Sequence, residues 1–167
     1  MTKFLKRFFK REKAIEDAIR ERLTGEAQKN ALDFISFMRA NGFEFEYYNL
    51  GHAEGWTTSY GGNILIPRAG SGKGQMSIHA GLLAGFGNAG AADDGLKEAV
   101  WEHVRVCPQS SCKPPYCKEN AEHPGCQNRV TIFGKEFEST CHAVLGFTDP
   151  DAETYENIKK LFLMMEP

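Results

Sequence analysis

The sequence predicts an α+β fold, in which an antiparallel β-sheet of about five to seven strands is packed by helices and carries an N-terminal amphipathic helix. Three observations predict this class: helical periodicity in the first forty or so residues, several short alternating strands with turn residues, and a capped helix at the end. The chain has 167 residues, of which 41% are hydrophobic and 25% are charged. This composition supports one buried core and argues against collagen-like, rod-like and wholly disordered chains.

The N-terminal segment is strongly basic, because six lysines and arginines in residues 1–13 are opposed by Glu12 alone. Apolar residues recur at helical spacing as far as Leu23, which predicts an amphipathic helix over residues 3–23 that ends near Gly25. We therefore divide the chain into a basic helical appendage, residues 1–25, and a single α+β domain, residues 26–167.

A basic helix face opposite phenylalanines is typical of a helix that lies on a membrane surface, faces nucleic acid or meets a second copy of the chain. The net charge of −2 gives the whole protein no attraction to nucleic acid, so we expect no nucleic-acid partner beyond this local face. The alternative is that the helix over residues 3–23 packs on its own domain and keeps its basic side chains in water.

The first half of the domain is predicted to be a core helix followed by an antiparallel meander. The helix stops at Asn41 and Gly42, which form a strong stop signal, and the strands are indicated by alternating apolar residues between turns. The predicted elements are a helix over residues 26–41, a strand over 43–48, a hairpin over 56–67 that turns at 61–63, and a strand through Met76, Ile78 and Ala80.

The second half is predicted to alternate helices with short strands. Asp93 or Asp94 is expected to cap the next helix, and Asp149 followed by Pro150 is expected to begin the last one. The predicted elements are a helix over residues 94–106, a hairpin over 129–139 that turns at Gly134-Lys135, a strand over 142–147 and a helix over 150–165.

Residues 107–128, which we name the Cys-rich segment, differ sharply in composition from the rest of the chain. They are rich in Cys, Pro, Gly, Gln and Asn and contain almost no aliphatic residue until they reach the following strand. Such a segment cannot bury enough apolar surface to order itself. We therefore expect it to be held by its cysteines.

The chain has five cysteines within 35 residues, separated by four, four, eight and fourteen residues. A metal explains them better than disulfides, because their number is odd and no export signal is recognised. Thiolates favour tetrahedral zinc, with an iron–sulfur cluster, thiol redox chemistry or unligated cysteines as alternatives. The predicted zinc ligands are Cys112, Cys117, Cys126 and Cys141, with Cys107, His123 and His103 as alternates.

A small-molecule pocket is a further hypothesis, because amphipathic aromatics with a few polar groups suit such sites, although the same residues commonly belong to a core. The candidate lining residues lie in or beside the meander and on the third helix: Trp56, Tyr60, His79 and Trp101. The sequence contains no complete signature of a catalytic site. His52-Ala53-Glu54 matches the first half of the zinc-deaminase signature, but no C-x-x-C follows.

We therefore expect a non-enzymatic binding or accessory domain with a structural zinc site, located in the cytoplasm. One alternative is a thiol-dependent enzyme for redox or transfer chemistry, using Cys107 or Cys141 beside His142. Another is an interaction protein that docks through residues 3–23. No motif identifies an activated thiol, which is why we prefer the first hypothesis.

The last part of the chain has the run IFGKEF from Ile132 to Phe137, then Cys141 after three further residues, and then a Pro-capped helix at residues 149–153. In these features it resembles a group of small uncharacterised bacterial proteins. More distantly, the meander containing Gly55-Trp56 and its flanking helices look like the YdhG-like class of small α+β domains. The resemblance implies an α+β fold and a Cys-rich loop before the hairpin, and it assigns no catalytic residue.

Overall fold

The computed structural model describes residues 14–49, 53–58, 62–67, 75–80, 92–106 and 128–164. These residues form helices α1 (Ile15–Arg22), α2 (Gly25–Ala40), α3 (Asp94–Glu102) and α4 (Ala152–Leu163). Their strands are β1 (Phe45–Asn49), β2 (Ala53–Thr58), β3 (Gly62–Pro67), β4 (Ser77–Ala80), β5 (Val104–Val106), β6 (Asn128–Ile132) and β7 (Lys135–Thr148). The predicted α+β class is confirmed.

The strands form an antiparallel sheet in the order β1-β2-β3-β4-β7-β5, with β6 also paired to β7. One row of directly paired residues crosses four of these strands: Trp56, Ile64, Ile78 and Phe147. Paired residues of an antiparallel sheet project from the same face, and all four of these side chains are buried. This apolar row therefore lies on the core face of the sheet.

Aromatic side chains join α2 and α4 above the core face. The ring of Phe34 on α2 lies 5.3 Å from the ring of Tyr155 and 6.2 Å from that of Phe162, both on α4. Phe43, between α2 and β1, meets Phe162 edge-on at 5.6 Å. Each such pair contributes about 1 kcal/mol beyond its buried area, so this cluster fixes how the two helices pack.

The described part of the N-terminal segment packs on its own domain. Ile15, Ala18 and Ile19 of α1 are fully buried in the main core, and Glu16 accepts a 2.6 Å hydrogen bond from Arg39 on α2. Residues 1–13 lie outside the described residues. The predicted membrane or self-association role of residues 3–23 therefore stays a prediction.

Helix α3 is shorter than the sequence predicts, because residues 104–106 form β5 instead of continuing the helix. The valines at 104 and 106 are β-branched and pair with β7, and the carbonyl of His103 accepts a 3.1 Å hydrogen bond from the Gly146 N–H. Pairing with β7 thus outweighs helical periodicity. In the same way, the two strands predicted at 136–139 and 142–147 are one continuous strand, β7.

The turn between β6 and β7 lies one residue earlier than predicted. Its central residues are Phe133 and Gly134, whose φ angles of 48° and 82° give the left-handed geometry of a tight hairpin turn. The prediction of a turn at Gly134-Lys135 was wrong because it placed the glycine at the first central position of the turn. Gly134 occupies the second central position. The side chain of Phe133 is buried, which compensates for its unfavourable backbone.

The N-cap of α4 is Asp151, not the predicted Asp149. The Asp151 carboxylate accepts a 2.8 Å hydrogen bond from the Thr154 N–H. Asp149 has a φ of 49°, and its carboxylate accepts a 2.9 Å bond from the Met76 N–H, while its own N–H donates to the Met76 carbonyl at 2.8 Å. Asp149 therefore joins the start of β4 to the end of β7.

We predict that Asp149→Ala lowers the free energy of unfolding by about 2 kcal/mol, because it leaves the Met76 N–H without its acceptor and places alanine in the left-handed region. Asp149→Asn should lose less than half as much, since asparagine tolerates that region and keeps an oxygen acceptor. Urea unfolding measures both. The control is Asp33→Ala, which removes only an exposed carboxylate 4.0 Å from Lys29, and an equal loss in the control would contradict the assignment.

Candidate metal centre and ligand cleft

Most predicted metal ligands lie outside the described residues. These are Cys112, Cys117 and Cys126, and the alternates Cys107 and His123. Cys141 lies on β7, where the backbone is described, and His103 lies at the end of α3. Among the residues that the structure describes, no three His, Cys, Asp or Glu side chains are grouped to hold a metal. The zinc site therefore stays a prediction.

The described strands nevertheless fix the two ends of the Cys-rich segment. β5 ends at Val106, directly before Cys107, and β6 begins at Asn128. Val106 and Asn128 both pair with Thr140, one on each edge of β7. Thr140 is fully buried and is followed by Cys141. Both ends of the segment therefore lie beside the residue that precedes the last predicted ligand.

The predicted small-molecule pocket is divided between different parts of the fold. Trp56 is buried on the core face, where its ring meets that of Tyr47 at 5.5 Å. His79 follows Ile78, which pairs in the same row as Trp56, so the side chain of His79 projects from the opposite face of the sheet. Trp56 and His79 do not meet. Tyr60 lies outside the described residues.

Trp101 is held by the β6–β7 hairpin. Its indole N–H donates a 2.8 Å hydrogen bond to the Ile132 carbonyl, and the Lys135 ammonium lies 4.9 Å from its ring centroid. A cation over an aromatic face is attracted by the ring quadrupole. The ring therefore fastens α3 to the hairpin.

The structure contains a cleft of about 230 Å³ between α3 and α4, which we name the α3–α4 cleft. Val100 and Phe147 lie behind it and are almost completely buried. The full lining consists of Ala99, Val100, Glu102, His103, Phe147, Asp151, Glu153, Thr154 and Asn157.

Sequence reasoning missed the α3–α4 cleft because its walls are far apart in the chain. Residues 99–103 come from α3 and its end, Phe147 from β7, and residues 151–157 from α4 and its cap. No local motif joins them. The one sequence signal was His103, which the metal hypothesis already used as an alternate ligand.

Burial sets the electrostatics of His103. Its ring meets Phe147 edge-on with a centroid separation of 4.6 Å, and this desolvation lowers the pKa of the imidazole below its ordinary value, while the Glu102 carboxylate acts in the opposite direction. Across the cleft, the hydrogen bond from the Thr154 N–H lowers the pKa of Asp151. At neutral pH the lining therefore presents an uncharged imidazole beside carboxylates.

No family model matches the chain, and no curated protein or solved structure matches it either. The resemblance to small bacterial proteins therefore stays a prediction, and functional reasoning depends on the chain's own residues. Within the described ranges, each helix is too short or too polar to cross a membrane.

We predict that the His103 ring titrates below its ordinary pKa of about 6.5, and that Glu102→Gln lowers this pKa further by removing a carboxylate that opposes desolvation. Because the folded state disfavours the charged ring, the stability that depends on neutral His103 is lost as the pH falls through 6.5. Ring-proton NMR measures the pKa, with the signal assigned through His103→Gln. A His103 pKa that rises in Glu102→Gln would contradict this account.

Proposed function

We propose that this protein is a non-enzymatic binding domain in which a structural zinc ion connects the Cys-rich segment to β7. The observation that supports the proposal most is the pairing of Val106 and Asn128 with the same residue, Thr140, directly before Cys141. Both ends of the segment that contains four cysteines are thereby held on the strand that carries the fifth, Cys141. The fourth predicted ligand, Cys141, directly follows the residue that both ends flank.

The energy balance favours metal over packing for this segment. The residues between Val106 and Asn128 include no Val, Leu, Ile, Met or Phe, so they cannot build a core of their own. Closing a loop of this length costs only a few kcal/mol of chain entropy, whereas structural zinc supplies about 10 kcal/mol or more. Since β5 and β6 already bring its ends together, part of the closure cost is met by strand pairing.

The donor set favours a closed structural site. Cys112 and Cys117 are separated by four residues, which is within the range for two ligands on one turn, and Cys126 and Cys141 complete four thiolates. Four protein ligands leave no position for a substrate or water. A cytoplasmic location fits this proposal, because thiols stay reduced there.

The binding role rests on a different observation, the α3–α4 cleft. Its lining is mostly polar and combines three carboxylates, an imidazole, a hydroxyl and an amide with three apolar residues, so it offers several hydrogen-bonding groups to a small polar molecule. No described residue of the cleft supplies a thiol. The main alternative is a thiol-dependent enzyme, and the experiments must distinguish it from a binding domain.

We predict that protein purified without tags or chelators contains about one zinc ion per chain by elemental analysis. Cys112→Ser and Cys117→Ser should each reduce the zinc content strongly and lower the melting temperature. Cys107→Ser is the matched control, because Cys107 lies outside the four predicted ligands and its loss should change neither quantity. Folded, zinc-free protein with unchanged stability would contradict the proposal.

Thiol labelling at neutral pH separates the alternatives. If zinc holds four thiolates, those four cysteines label slowly until a chelator is added and then label together, while Cys107 labels at the rate of an ordinary thiol throughout. One cysteine that labels much faster than an ordinary thiol in the untreated protein would favour a thiol-dependent enzyme instead. Iron with inorganic sulfide in the elemental analysis would favour an iron–sulfur cluster.

A further inference from the structure

We propose that residues 3–11 bind the surface of an anionic lipid membrane, with their apolar side chains at the boundary between headgroups and acyl chains and their basic side chains on the phosphates. Neither the zinc site nor the α3–α4 cleft accounts for these residues, which we name the basic–aromatic segment. The inference therefore goes beyond the proposed function and is tested separately from it.

The basic–aromatic segment contains only two kinds of side chain. Each of its residues is either positively charged or large and apolar. The basic residues are Lys3, Lys6, Arg7, Lys10 and Arg11, and the apolar residues are Phe4, Leu5, Phe8 and Phe9. This mixture is typical of chains that lie on a membrane, because apolar side chains enter the interface while cations meet anionic headgroups.

The order of these residues separates the two kinds of side chain. At the helical spacing of about 100° per residue, the four apolar residues fall within an arc of about 140°, and all five basic residues fall outside it. The phosphates of a nucleic acid attract the charge but offer nothing to a continuous apolar arc. A lipid surface accepts both faces, so the pattern favours a membrane.

The described structure separates the basic–aromatic segment from α1. The helix predicted over residues 3–23 is interrupted at Ala14, whose φ of −63° and ψ of 140° are extended, and α1 begins at Ile15. Glu16 and Asp17 lie in the first turn of α1, where the helix dipole favours carboxylates. α1 therefore has an N-terminus of its own.

The break at Ala14 determines which way the apolar arc can face. In one continuous helix, Phe4 and Phe8 would lie on the same side as Ile15, which is fully buried against the domain. The domain would then block a membrane from that side. Because Ala14 is extended and exposed, the chain leaves the domain at its surface, and the arc does not have to follow the buried face of α1.

α1 is anchored to the domain by residues from Ile15 onward. Ile15, Ala18 and Ile19 are fully buried in the main core, and the 2.6 Å hydrogen bond from Arg39 to Glu16 joins α2 to α1. These contacts involve no residue of the basic–aromatic segment. We therefore expect substitutions within the segment to leave the melting temperature unchanged.

The charge of the chain is divided at the same place. Residues 1–13 carry a net charge of +5, whereas the remaining residues carry −7. An anionic surface therefore attracts the N-terminal end of the chain and, on average, repels the domain. The cytoplasmic leaflet of a cell membrane carries anionic lipids, which agrees with the proposed cytoplasmic location.

The test is flotation of the full chain with vesicles of phosphatidylcholine that contain about 30% phosphatidylserine, an anionic lipid. We expect binding that falls at least about tenfold when the salt concentration is raised from about 0.05 M to about 0.5 M, because salt screens the attraction. Vesicles of phosphatidylcholine alone should bind much less. Equal binding to both kinds of vesicle would overturn the proposal.

The variant Lys6→Gln/Lys10→Gln removes two positive charges from the segment. We expect the partition coefficient on the phosphatidylserine vesicles to fall about twentyfold, since each lysine near an anionic surface contributes about fivefold. The matched control is Lys29→Gln/Lys160→Gln, which removes two exposed lysines from α2 and α4. An equal loss in the control would overturn the proposal, because it would show attraction by total charge alone.

The variant Phe4→Ala/Phe8→Ala keeps the charge and reduces the apolar arc. We expect it to weaken vesicle binding on the order of tenfold, because burial of apolar surface contributes together with charge. Unchanged binding of this variant would overturn the proposal. Each variant is first checked for an unchanged melting temperature, and a large fall in that temperature would contradict the separation of the segment from the core.

Two other partners give different results in the same variants. If light scattering showed a dimer that Phe4→Ala/Phe8→Ala dissociates, with no vesicle binding, the segment would pair two copies of the chain. If single-stranded DNA bound and vesicles did not, the partner would be a nucleic acid. Either result would overturn the proposal, and a normal zinc content in the same protein would leave the metal proposal intact.

Discussion

The described structure depends on one strand, β7, which pairs along both of its edges. β4 and β6 lie on one edge and β5 on the other, so this strand joins parts of the chain that are distant in sequence. Near Phe147 the pairing continues the apolar row of the meander into the C-terminal half. At Thr140 it brings together the two ends of the Cys-rich segment. The same strand therefore positions both the core and the candidate metal centre.

The two candidate sites use different physical forces. The α3–α4 cleft is built by ordinary core packing, because the residues behind it, Phe147 and Val100, belong to the buried core. The Cys-rich segment has no such apolar surface, so we propose that metal–thiolate bonds organise it. One consequence is that the cleft and core should survive loss of the metal, whereas the segment should not. The core would then still fold without the metal, although at a lower melting temperature.

Local patterns were enough to predict most elements but not the contacts between them. Alternation identified the meander, and the stop signal at Asn41-Gly42 identified the end of α2. The predicted end of α3 was wrong because Val104 pairs with Leu145, and helical periodicity gives no information about such a long-range contact. The predicted N-cap at Asp149 was wrong for a similar reason, since the Asp149 carboxylate accepts a hydrogen bond from the N–H of Met76, 73 residues away. The α3–α4 cleft could not be predicted at all, because only tertiary packing brings its walls together.

The central claim is that sulfur coordination organises the Cys-rich segment at β7. Zinc-edge X-ray absorption of the purified protein tests it most directly. The account predicts a first shell of about four sulfur atoms at about 2.3 Å, the zinc–thiolate distance. A first shell made only of nitrogen and oxygen atoms at about 2.0–2.1 Å, or protein that holds no metal while folded, would contradict it.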